Sequence, residues 1–74
     1  MRERELRAMI RALQRIQTER HLSMQGISAL LGLSPGYISM VYSGRRRPGI
    51  RFVRAVLERF PEIRRMIAEM LREE

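Results

Sequence analysis

The chain has 74 residues, a formal charge of +7 from 15 basic and 8 acidic side chains, and no cysteine. That length holds a single domain, residues 1–74, which buries only about 60% of its unfolded surface, and the composition excludes a disulfide framework and a thiolate metal site. Every basic residue is arginine, whose planar fork grips phosphate bidentately, so the charge excess points to a nucleic acid or another anionic surface.

Residues 3–20 are predicted to form the first helix. Leu6, Met9, Ile10, Leu13 and Ile16 recur at three- and four-residue steps and give one apolar stripe, with Arg4, Arg7, Arg11 and Arg15 off it. Glu3 and Arg7 stand in i,i+4 register, worth roughly a few tenths of a kcal/mol. Ser23 is the N-cap of a second helix over 24–31. Gly26 weakens its first turn by roughly 1 kcal/mol relative to Ala, and Gly32 ends it in a left-handed turn. Ser34-Pro35 opens a third helix that runs to about Tyr42, with a capping hydroxyl and then a proline where no backbone donor is needed. Ser43-Gly44 stops it and leads into a basic loop over 44–49. A fourth helix, Ile50 to Arg59, turns Val53, Val56, Leu57 and Phe60 inward. Pro61 begins a fifth over 61–72, with Ile63, Met66, Ile67, Met70 and Leu71 on one face. No strand signal, repeat or linker interrupts this, so the expected class is all-α, a compact five-helix domain.

The segment from Leu22 to Pro48, LSMQGISALLGLSPGYISMVYSGRRRP, reads as two short helices joined at Gly32 and followed by an arginine loop. That is the outline of a helix-turn-helix formed by helices 2 and 3, core 23–43, whose second helix enters the major groove of DNA. Ser28 is the small residue where the two helices touch, and Ile27, Leu31, Leu33, Ile38 and Val41 fill the angle between them. No acidic residue lies between Glu19 and Glu58, whereas Arg20, Arg45, Arg46, Arg47, Arg51 and Arg54 do.

On these residues, and above all on LGLSPGYIS and SGRRRP, the chain resembles the Cro/repressor-like (XRE) family of DNA-binding domains, lambda-repressor-like in layout. The resemblance implies a transcriptional regulator, commonly a homodimeric repressor on a palindromic operator in double-stranded DNA. It places Pro35, Gly36, Tyr37, Ser39, Met40 and Ser43 toward the bases, and Gln25, Ser34, Arg45, Arg46, Arg47 and Arg51 on phosphates. Two departures stand out. Met24 sits where the family carries a phosphate-binding Gln, with Gln25 directly after it. The third helix also carries few side chains able to make the bidentate contacts that read base edges, which leaves arginines at a groove edge or DNA shape as sources of specificity.

The remaining residues point away from catalysis. One His, no Cys, no Asp and glutamates confined to the two ends of the chain supply no nucleophile–base pair, and no Gly-rich phosphate loop occurs. No enzyme activity, cofactor, metal or small-molecule substrate is expected. The lone His21 reads as a surface or cap residue, Tyr42 as core or interface, and Met24 and Leu30 as peripheral packing. A dimer contact is expected on the edge of the fifth helix at Ile63, Met66 and Met70. Apolar runs fall short of a bilayer span, and the N-terminal stretch lacks the apolar centre of a signal peptide. A cytoplasmic, nucleoid-associated protein of bacterial, archaeal or phage origin with no membrane partner is therefore expected. A protein-interaction module or antitoxin-like partner that keeps the scaffold is the alternative, suggested by apolar Met24, Leu30 and Met40. Arg-flanked stripes at 3–20 and 61–72 also fit an anionic membrane surface.

Overall fold

The computed structural model describes residues 1–73. Five helices follow in order, α1 (Glu3–Glu19), α2 (Met24–Leu31), α3 (Pro35–Tyr42), α4 (Ile50–Arg59) and α5 (Pro61–Arg72), with no strand among the described residues. The radius of gyration is 11.7 Å, close to the value of about 11 Å for a compact chain of this length. Helix α1 packs on α5, α5 on α4, and α2 on both α3 and α4. Among the described residues no helix is long and apolar enough to cross a membrane.

The helix ends explain the boundaries. At the start of α1, Glu5 is fully buried and its Oε1 accepts the Arg2 N–H at 2.8 Å, a cap the sequence reading did not include. Helix α1 stops one residue before the expected position because His21 takes a left-handed φ of 53°. The His21 N–H then reaches the Thr18 carbonyl at 3.2 Å and the Leu22 N–H reaches Gln17 at 2.9 Å, the two bonds of a Schellman closure. Ser23 Oγ accepts the Gly26 N–H at 2.9 Å and opens α2. Gly32, at φ 67°, closes it. Ser28 clasps this turn from both sides: its carbonyl accepts the Gly32 and Leu33 N–H groups at 2.8 and 3.2 Å, and its hydroxyl donates to the Leu33 carbonyl. A small size at the helix contact was therefore only half of the reason for serine.

Met9, Leu13 and Ile16 of α1 meet Ile27, Leu31, Ile38, Val41, Phe52, Val56, Phe60, Ile63 and Ile67 in one core. Met24, Leu30, Leu33 and Tyr42 pack on its margin, partly buried. Two expectations need correction. On α4, Phe52 is fully buried, while Val53 and Leu57 keep part of their surface in solvent. Apolar residues at 50, 52, 53, 56, 57 and 60 form two overlapping helical stripes, and the one at 52, 56 and 60 turns inward, with the Tyr37 ring edge-on to Phe52 at 6.2 Å. On α5, Leu71 is 45% exposed, in the last turn of the helix, whereas Ile63 is 1% exposed. Ile63 spends its side chain inside the protomer and has none left for a dimer contact, and Met66 and Met70 also lean on the core.

Two arginines tie the layers together. Arg20 donates to Glu62 at 2.8 Å while lying 5.7 Å from the Phe60 ring centroid, which links the end of α1 to the start of α5. Arg59 Nε donates to the Leu30 carbonyl at 2.8 Å, joining the ends of α4 and α2.

Candidate nucleic-acid interface

Helix α3 has an inner and an outer side. Ile38 and Val41 are buried, and Pro35, Gly36 and Ser39 are exposed. The Ser34 hydroxyl accepts the Tyr37 N–H at 3.2 Å, and Pro35 occupies the first turn. A side chain at Gly36 would meet nothing within 4 Å, so the backbone of this turn lies open to an approaching ligand.

The far end of α3 fixes the arginine loop. Gly44 adopts φ 81°. The Met40 carbonyl accepts the Arg45 and Arg46 N–H groups at 3.0 and 3.2 Å and the Ser43 hydroxyl at 3.1 Å, while the Gly44 N–H goes to Val41. The loop thus leaves α3 in one defined direction. Tyr37 then pins it from below: its hydroxyl accepts the Gly49 N–H at 3.1 Å and its ring lies 5.8 Å under the Arg46 guanidinium. With its edge-on contact to Phe52, Tyr37 uses its ring and its hydroxyl inside the protomer. It joins α3, the loop and α4, and is not a free base-facing group. Ser34 and Ser43 are likewise engaged in caps, and Met40 is partly buried. Pro35, Gly36, Ser39 and Ser43 are the solvent-facing members of the expected base-reading set, Ser43 with its hydroxyl donated to the Met40 carbonyl.

The arginines differ in freedom. Arg45 and Arg51 are exposed and hold no carboxylate among the described residues. Arg47 pairs with Glu3 at 2.9 Å, with side chains 66% and 54% exposed. A pair that open is worth about 0–1 kcal/mol, so Arg47 is lightly held. Glu3 thus takes Arg47 across the molecule and not Arg7 one turn along. Arg51 shares a shallow groove with Gly32 and Leu33 of the α2–α3 connection, so α3 has arginine near both ends. On the opposite flank of the loop, Arg7 and Arg11 of α1 line a cleft with Arg46, Arg47 and Glu3; their signal in the sequence was the arginine row off the α1 stripe. Gln25 is exposed in the first turn of α2, without a hydrogen bond to the other candidates. Arg20 is drawn away to Glu62.

Helix starts carry the same sign. The first turns of α1 and α5 hold Glu3, Glu5 and Glu62, but those of α2, α3 and α4 hold no acid, and Gly49 gives α4 no side-chain cap. An acid in a first turn stabilises a helix by about 0.3–1 kcal/mol. Three consecutive helices forgo that gain and keep their positive ends unneutralised. Among the described residues no group of three or more His, Cys, Asp or Glu side chains is arranged to hold a metal ion. Comparison with protein-family models, with curated proteins and with solved structures finds no match to this chain.

Proposed function

We propose that this chain is a DNA-binding transcriptional regulator, with α2 and α3 acting as a helix-turn-helix, α3 in the major groove and the arginine loop on phosphates. The observation that carries the reading is the open first turn of α3, with Arg51 near one end of the helix, Arg45–Arg47 at the other, and no acidic side chain from residue 20 to 57. Phosphate neutralisation supplies affinity, and the few free polar groups on α3 leave specificity to the Gly36 backbone, Ser39 and DNA shape. A homodimeric repressor on a palindrome, with half-sites about 34 Å or a multiple apart, follows from the resemblance to the XRE family and from the small size of one protomer. Residence in the cytoplasm, on the nucleoid, belongs to the same reading.

Duplex binding measured at about 50 and 200 mM salt tests it. Four arginine–phosphate contacts per copy predict a loss of roughly 100-fold between the two for a single bound copy and roughly 10,000-fold for a dimer on both half-sites. The Arg45→Ala/Arg46→Ala/Arg47→Ala variant is expected to flatten the salt slope by about 3 per bound copy, about 6 for a dimer. Binding that ignores salt, or no binding to any duplex, overturns the reading. Selection of bound sequences from a random pool then reports half-site spacing. The engagement of Ser34, Tyr37 and Ser43 within the protomer favours one second reading, in which the same face meets an acidic protein partner in the manner of an antitoxin. Co-purification of that partner without a DNA footprint distinguishes it.

A further inference from the structure

The arginine row of α1 has no part in the DNA contacts proposed above. Arg4 of that row is held by Glu73 at 3.7 Å. Arg7 and Arg11 are exposed and hold no carboxylate among the described residues. They stand four residues apart, so their side chains rise from one face of α1 as neighbours. That face meets the arginine loop: Arg7 and Arg11 line one cleft together with Arg46 and Arg47, and Ile10 and Val41 line it with them. The cleft has a volume of about 420 Å³, more than ten times the roughly 30 Å³ that one water molecule takes in the liquid, so a phosphate group enters it without moving a helix.

Among the described residues Glu3 is the carboxylate that lines this cleft, and four guanidinium groups against it leave three positive charges. Arg47 Nη1 donates to Glu3 Oε2 at 2.9 Å, so an anionic oxygen already sits between α1 and the loop. Both side chains of that pair are more than half exposed, and a pair so open is weak, so a phosphate oxygen can take the place of the carboxylate. Guanidinium forks match phosphate geometry. The loop wall of the cleft is also fixed relative to α3, because Tyr37 holds the Gly49 N–H and lies under Arg46. A strand that rests on Arg45–Arg47 therefore brings its phosphates to the mouth of the cleft. We infer, on the DNA-binding reading above, that this cleft is a second phosphate site, in which Arg7 and Arg11 of α1 hold the DNA backbone beside the stretch gripped by the arginine loop. Each copy then makes six arginine–phosphate contacts and not four.

Arg7→Gln/Arg11→Gln is expected to flatten the salt slope of duplex binding by about 2 per bound copy. Between about 50 and 200 mM salt this variant then loses about tenfold less affinity per copy than the wild type, and about 100-fold less as a dimer. Arg7→Lys/Arg11→Lys keeps both charges and is expected to keep the wild-type slope. Arg64→Gln/Arg65→Gln removes two exposed arginines of α5 that lie outside the cleft; it controls for net charge and is expected to match the wild-type slope. Gln and Arg have similar helix propensities, and circular dichroism checks that every variant is folded. A wild type that binds duplex while Arg7→Gln/Arg11→Gln keeps its slope, or a control whose slope falls as far, overturns the inference and leaves the DNA reading intact. A wild type that binds no duplex overturns both.

Discussion

Tyr42 illustrates how much one half-buried side chain does here. Its hydroxyl donates to Gln17 Oε1 at 2.9 Å, and desolvation by burial pushes its pKa from 10.0 up to about 12. The unfolded chain releases this proton first, so stability is level below pH 10 and falls as pH rises from 10 towards 12. Tyr42→Phe is expected to remove that alkaline loss and to cost about 1 kcal/mol near neutrality through the missing hydrogen bond; urea unfolding of both proteins across this range checks it. His21 acts in the opposite sense. An exposed side chain in a left-handed conformation brings strain and no packing. His21→Gly is expected to raise stability by about 0.5–1 kcal/mol, the αL penalty less the extra freedom glycine has when unfolded. A lower urea midpoint would show that the imidazole contributes something beyond the turn.

At the scale of the element, α4 has the most to explain. Its ten residues carry two apolar stripes, and each has a different destination. Phe52, Val56 and Phe60 close the core, while Val53 and Leu57 pack partly buried on its margin and Ile50 is exposed. Phe52→Ala is expected to cost about 3–5 kcal/mol, a large share of the total in so small a domain. Val53→Ala should cost no more than about 1 kcal/mol. Equal losses at the two positions would mean that α4 is rotated from the orientation described.

Across the whole molecule, charge is distributed by segment. Acids in α1 and α5 hold arginines at the ends of the fold, and the centre is left entirely basic. Among the described residues Glu3 is the carboxylate that reaches the arginine loop. Glu3→Gln frees Arg47 and raises the formal charge by one, at a stability cost of at most about 1 kcal/mol. Duplex affinity at low salt is expected to rise by roughly threefold, with a salt slope steeper by up to about 1. Unchanged affinity and slope in a titration at two salt concentrations would take Arg47 out of the phosphate-contacting set.

What the chain determined by itself is what neighbouring residues decide. Ser23, Gly32, Ser34-Pro35, Gly44 and Pro61 end or begin helices through bonds that span only a few positions, so the all-α class and both ends of four of the five helices could be read directly, and so could the acid-free centre. His21 was the exception, because a non-glycine left-handed turn has no distinctive residue to announce it. Tertiary structure decided what depends on partners far along the chain. The stripe of α4 that turns inward depends on Tyr37 and the core. Arg47 meets Glu3 across 44 residues and Arg20 meets Glu62 across 42, so free and tethered arginines look alike until the helices are packed. Tyr37 became a joint and Ile63 a core residue for the same reason: periodicity gives a helix an apolar side, but only the packing of the other helices says which part of it is covered.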